Sequence, residues 1–98
     1  MIVGEVVGTI VATRKEERLS GLKFQIVKVM NMDLKPTGAF LVVADAVGAG
    51  DGEVVLCSQG SSARLTAKTK DCPIDAVIMG IIDTIEIKGK LVYEKYAG

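Results

Sequence analysis

Histidine and tryptophan are both absent from these 98 residues. Without histidine the chain lacks the commonest general base and a frequent metal ligand. Cys57 and Cys72, the two cysteines, then have no imidazole to activate either as a nucleophile. Fourteen residues separate them, which is no metal-ligand spacing. They read as buried or half-buried free thiols of a reducing compartment, a disulfide between them remaining open. Aromatics are few: Phe24, Phe40, Tyr93 and Tyr96, scattered and without basic clusters between them. That leaves no stacking platform for single strands. Twelve basic residues balance twelve acidic ones, so no cationic field draws nucleic acid or an anionic membrane. The apolar stretch Ala76–Ile82 is only seven residues long, against the roughly 20 that a membrane helix needs. Glu5 interrupts the first residues, and no positive segment precedes an apolar one, so no secretory signal is expected and the location expected is cytoplasmic.

What is present is apolar and β-branched. Hydrophobic residues make up 49% of the chain and the mean hydropathy is +0.38. The length suits a single domain over residues 1–98, of a size at which complete burial is difficult. So much Val, Ile, Ala and Leu in so small a body predicts apolar surface that a second chain covers, in preference to an unusually apolar monomer.

Strand patterns dominate. Ile2–Thr13 reads as a long first strand, with Gly4 and Gly8 allowing a bend. The charged connection 14–21 mixes both signs and reads as a solvated loop. Leu22–Met30 predicts a half-buried strand with Leu22, Phe24 and Ile26 on one face and Lys23 and Gln25 on the other. Asn31–Gly38 is a loop, and Ala39–Ala44 and Glu53–Ser58 are strands three and four. Ser61 or Ser62 is placed to cap a helical turn over Ala63–Thr66. Ile74–Lys88 reads as one long strand, and the turn signal Lys88-Gly89-Lys90 returns the chain as Leu91–Tyr96. The fold class is therefore all-β: five main strands and a short sixth, closed into a small barrel and ending in a hairpin.

Asp45–Arg64, DAVGAGDGEVVLCSQGSSAR, is the stretch with most information. Two tight turns, Gly48–Gly52 and Gly60–Ala63, flank one buried strand, as loops shaped to fit a surface would. The loop aspartates Asp45, Asp51, Asp71 and Asp75 are turn formers more readily than a catalytic pair. Gly60-Ser61-Ser62-Ala63-Arg64 has the composition of an anion cradle but not the spacing of a nucleotide-binding loop. A five-stranded barrel also raises the oligonucleotide-binding class, whose basic and aromatic surface is missing here.

Three segments in order resemble the CcmL/EutN family, the pentameric vertex proteins of bacterial microcompartment shells. GEVVGTIVATRKEERLSGLKF carries Gly8, Thr9, Thr13, Lys15, Leu19, Gly21 and Lys23 of its opening pattern. ADAVGAGDGEVVLCSQGSSAR is similar to its most specific segment, and DCPIDAVIMGIIDTIE to its closing strand. Within the family the chain looks somewhat closer to catabolic members than to carboxysomal ones. The resemblance implies an oligonucleotide-binding-like (OB-like) barrel with no catalytic residue, no metal and no cofactor. It implies homopentamers at the corners of a polyhedral shell, set among hexameric and trimeric shell proteins, with neither nucleic acid nor membrane as partner. Asp45, Gly48, Gly50, Gly60, Ser61, Ser62, Arg64 and Asp75 are its candidate residues for the subunit interface or ring axis. In this reading Asp45 holds backbone donors of its turn, and Arg64 bridges a boundary, with Asp75 as one partner. Each also reads as an intrachain turn or cap residue.

Overall fold

A pleated strand sends successive side chains to opposite faces, so β-branched residues at alternate positions line one side of a sheet. The structure, a computed structural model, describes residues 1–13 and 15–96; the connection expected from residue 14 thus starts outside the described residues. Five strands, β1 (Ile2–Ile10), β2 (Phe24–Met30), β3 (Pro36–Asp45), β4 (Val54–Gln59) and β5 (Ala76–Ile81), close a barrel in the order β1-β2-β3-β5-β4. Neighbours are antiparallel except β3 and β5, which run parallel through Ala44↔Val77 and Asp45↔Ile78. β6 (Thr84–Ile87) and β7 (Lys90–Glu94) form a separate two-stranded arm. Short 3₁₀ turns occupy Glu17–Leu19 and Gly60–Arg64. The expected all-β barrel with a C-terminal hairpin is what the chain forms.

Val6, Val27, Val43, Val55, Cys57 and Ile78 fill the barrel, each excluded from solvent. Burial pushes the Cys57 thiol up to about 11, leaving it protonated and unreactive at neutral pH. Cys72 is half-buried, and both thiols are free. Gly4 belongs to this interior. A Cβ there would run into Val27 Cγ1 and lie 2.7 Å from the Lys28 carbonyl oxygen, so close approach, not a bend, is what requires glycine. A second cluster, Ala44, Ala63, Ile74 and Val77, sits outside the barrel wall with Leu22, Phe24 and Cys72 packed against it.

Several expectations shift. β1 stops at Ile10, and Val11 beyond it is 88% exposed. β3 starts earlier, at Pro36, which pairs with Met30 at the very end of the ladder, where a missing N–H costs least. The expected long strand Ile74–Lys88 breaks at Ile82–Asp83 into β5 and β6, which belong to different sheets. The helical turn covers Gly60–Arg64, and neither Ser61 nor Ser62 caps it; Gln59 is the cap residue and makes no side-chain bond. β2 is inverted relative to its expected polarity. Gln25 faces inward and is 1% exposed, while Phe24 faces the outer cluster. Lys88 and Gly89 both adopt positive φ, 51° and 78°, the conformation of a two-residue hairpin turn matched to strand twist.

Candidate functional site: the glycine loop and the turn after β4

Asp45 ends β3 with its side chain inside the barrel mouth, 5% exposed. The following residues, Ala46–Gly52, turn across that mouth and bury Ala49 among the core valines. A loop on such a path carries backbone N–H groups that no strand satisfies. Asp45 satisfies them. Its Oδ1 accepts from Val47 N (2.9 Å) and Gly48 N (2.8 Å), and its Oδ2 accepts from Ala49 N (2.8 Å). The expected role of Asp45 as anchor of the turn's donors is thus met within the chain. Gly48 sits at φ 78°, a left-handed conformation that costs glycine little.

Two residues outside the eight site candidates complete the anchoring. Gln25 Nε2 donates to the Ala49 carbonyl (2.8 Å), and Thr9 Oγ1 donates to Gln25 Oε1 (2.9 Å). A polar plug therefore joins β1, β2, β3 and the loop. Gln25 shares strand parity with Val27, which is the signal that could have placed it inside. Glu53 and Lys95 supply the other tie. Glu53 Oε1 accepts from Gly50 N (2.7 Å), and Glu53 Oε2 pairs with Lys95 Nζ (2.6 Å) just beyond the arm. No local pattern announces Lys95, because the contact spans forty-two positions.

The Lys95 ammonium, and after it the Gly50 N–H, hold the Glu53 carboxyl below its ordinary range, while Glu53 raises Lys95. A depressed acid stabilises the fold above its unfolded pKa of about 4.3 and loses that contribution as pH falls through the folded value. The raised lysine keeps its contribution until pH climbs through its own folded value. We therefore expect the urea midpoint to fall between about pH 5 and about pH 3, and Glu53→Gln to flatten that fall while lowering the neutral plateau. Equal slopes for both proteins, measured by circular dichroism, would remove Glu53 from the account.

The second group lies in the turn that follows β4, Gly60–Arg64, whose Ala63 shares the outer cluster with Ala44, the neighbour of Asp45. Gly60 (φ 69°) donates its N–H to the Asp75 carbonyl (2.7 Å), while the Asp75 side chain is exposed. Ala63 is fully buried, and its carbonyl accepts from Thr69 Oγ1 (2.6 Å). Arg64 is exposed and donates from Nη1 to the Ile74 carbonyl (2.9 Å). Among the described residues no ion pair within the chain joins Arg64 to Asp75. Ser61 and Ser62 are exposed beside it. The eight candidate residues thus form two groups: Asp45, Gly48 and Gly50 at one barrel mouth, and Gly60, Ser61, Ser62, Arg64 and Asp75 in and beside the turn after β4.

Two open surface grooves, about 340 and 360 Å³, meet at Gly21–Lys23, and Asp45 and Gly48 line the second of them together with Lys68. Among the described residues no three His, Cys, Asp or Glu side chains converge to hold a metal, and no helix is long and apolar enough to cross a membrane. Large apolar side chains do reach solvent: Phe40 (59% exposed) and Val42 on β3, Val7 on β1, Leu65 after the turn, Leu91 (56%) and Val92 on the arm.

Residues 1–83 match the family described as ethanolamine utilisation protein EutN/carboxysome. The bacterial microcompartment shell vertex protein GrpN of Rhodospirillum rubrum is 48% identical over 88% of this chain and 97% of its own length. Its structure, described as a pentameric microcompartment shell protein, superposes with a TM-score of 0.78. The carboxysome shell vertex protein CcmL of Gloeobacter violaceus is 41% identical over 97% of this chain and 95% of its own, and its structure gives a TM-score of 0.94. EutN of Salmonella typhimurium, named a bacterial microcompartment shell vertex protein, is 36% identical over 97% of this chain and 96% of its own length.

Proposed function

The chain belongs to the EutN/CcmL family, and from that membership we propose that it is a structural shell protein whose pentamers cap the vertices of a polyhedral bacterial microcompartment. The observation that carries this reading is correspondence along nearly the whole chain with relatives named as shell vertex proteins. In this role residues 1–98 act as one vertex domain, located in the shell within the cytoplasm. The task is geometric: a pentagon set among flat hexagonal tiles introduces curvature and closes the shell around enclosed enzymes. No catalytic step is assigned to it. Its partners are further copies of itself, and beyond them the hexameric and trimeric tiles of the facets.

Both groups of candidate residues suit contact between copies. The loop at Gly48 and Gly50 is held rigid by Asp45, so presenting it to a neighbour costs little ordering entropy. The exposed Ser61, Ser62, Arg64 and Asp75 stand ready for a boundary, where the arginine's free donors can fork onto carbonyls or a carboxylate.

Light scattering on purified protein is expected to give five times the 10.3 kDa chain mass, because head-to-tail contacts that close outcompete open ones. A monomer at micromolar concentration would end the vertex reading, and a hexamer would move the protein to the facets. Salt-sensitive binding of a single-stranded oligonucleotide would instead favour the oligonucleotide-binding class. None is expected, since Phe24 packs against the outer cluster while Phe40 lies on β3 and Tyr93 on the arm.

A further inference from the structure

The arm is joined to the barrel at its root and almost nowhere else. Its two strands pack on each other and scarcely on the strands of the barrel, and the link into it is the pair Ile82–Asp83. A two-stranded hairpin is marginal alone in water, and this one leaves Leu91 and Val92 exposed. The contacts at its root therefore decide how it stands.

Those contacts converge on Glu53 and Val54, where β4 begins. The Ile82 N–H donates to the Val54 carbonyl (2.8 Å), and the Lys95 N–H donates to the Asp83 carbonyl (2.8 Å), closing the base of the hairpin. Lys95 Nζ then pairs with Glu53 Oε2 (2.6 Å). The two side chains are only 23% and 22% exposed, so water and salt screen this pair less than one on open surface. Among the described residues neither has a second ion-pair partner.

The same carboxylate holds the glycine loop, since its other oxygen, Oε1, accepts from Gly50 N (2.7 Å). The main chain beneath it is fixed: the Glu53 carbonyl accepts from Val6 N on β1 (3.0 Å), and its N–H donates to the Gly50 carbonyl (3.2 Å). One side-chain rotamer thus serves both partners. If Lys95 leaves, the carboxylate loses the ammonium that fixes that rotamer, while the negative charge of Asp45 still acts on it. The Gly50 N–H then loses a placed acceptor. Among the described residues no hydrogen bond joins loop and arm directly, so Glu53 is their shared hydrogen-bonding partner.

We propose that Glu53 and Lys95 form a latch coupling the stance of the β6–β7 arm to the closure of the Ala46–Gly52 loop. Whatever seats the arm firms the loop, and whatever frees the loop loosens the arm. Such coupling is reciprocal, each element changing the other by the same factor. It belongs to the single chain and does not depend on the vertex reading.

The test is hydrogen–deuterium exchange on the full chain, read at single amides, for Lys95→Met and Lys95→Arg. Lys95→Met keeps the stem and removes the charge. It is expected to speed exchange at Gly50, which Lys95 does not touch, by about fivefold or more, the lower end of the range for coupled sites. The amide at position 95 should quicken too, with Val27 in the barrel unchanged. Lys95→Arg keeps the pair and is expected to match the unmutated chain. In the reverse direction, Asp45→Asn frees the loop from its other anchor and is expected to speed the Lys95 amide. Scattering checks that each variant keeps the mass of the unmutated chain, and Lys95→Gln, also neutral, takes the place of Lys95→Met if that one does not. An arm that quickens while Gly50 keeps its rate would overturn the latch. So would equal acceleration at Val27, which marks general loss of stability, or a Lys95→Arg chain as fast at Gly50 as the neutral variant.

Discussion

Asp45→Ala is expected to lower stability by about 3–5 kcal/mol and to release the Ala46–Gly52 loop from the barrel mouth. Three backbone N–H groups converge on this one carboxylate, and hydrogen bonds to a charged acceptor contribute about 1.5–3 kcal/mol each. Water can replace the acceptor for Val47 and Gly48, which are exposed, but less easily for Ala49, which is 1% exposed. That is why the expected loss is smaller than three full bonds. Asp45→Asn should cost roughly half as much, because its oxygen can still serve Val47 and Gly48 while its amide nitrogen faces the Ala49 N–H as a second donor. Urea titrations at one fixed protein concentration, followed by circular dichroism, read the difference without confusing it with dissociation of the ring. A loss under about 1 kcal/mol for the alanine variant would mean that Gln25 and Glu53 hold the loop unaided.

The other large effect is expected at Gly4. Gly4→Ala adds one methyl group where Val27 Cγ1 and the Lys28 carbonyl already stand. Backbone cannot yield as a flexible side chain does, so β1 must move away from β2. Overpacking of this kind costs about 1–3 kcal/mol and sometimes more, and the upper part of that range applies because a carbonyl oxygen is one of the obstacles. In a domain of this size the melting temperature should drop by on the order of 10–20 °C. Gly8→Ala on the same strand is the internal control. Its Cβ would meet Ile26 Cδ1 at 3.5 Å, ordinary contact, and nothing nearer. A small shift at Gly8 beside a large one at Gly4 is the expected pattern, and equal shifts would show that strand propensity, not collision, governs both.

The architecture was legible wherever strand pattern and turn chemistry agreed. Lys88-Gly89 marked the hairpin because both residues take positive φ, and the glycine-rich turn after Asp45 marked a loop tied to its own aspartate. Legibility failed where both faces of a strand are apolar. β2 with its lead-in offers Leu22, Phe24 and Ile26 on one side and Val27 and Val29 on the other, since the outer cluster covers part of the barrel wall as well. Alternation then cannot say which face is inside, and it groups Gln25 with the exposed Lys23. The division of Ile74–Lys88 into β5 and β6 was hidden for a related reason: Ile82 continues the apolar run across the break. At the site, the residues that act on their own neighbourhood, Asp45 above all, could be read directly. Glu53 with Lys95, and Gln25 with Thr9, could not, because only the folded chain brings them together.

The parallel join between β3 and β5 has a dynamic consequence. It contains two residue pairs, whereas every other join in the barrel contains between four and seven. Amide hydrogens exchange through local openings whose free energies range from near zero to the full unfolding value. A barrel stitched so unevenly does not breathe uniformly around its girth. Among the barrel strands, deuterium is expected to enter first along the line from Ala44 to Ile78, with the β1–β2 and β2–β3 ladders protected longest. The loop anchored by Asp45 rides on one lip of that line, so its motion reports the opening of the cylinder long before any strand is lost.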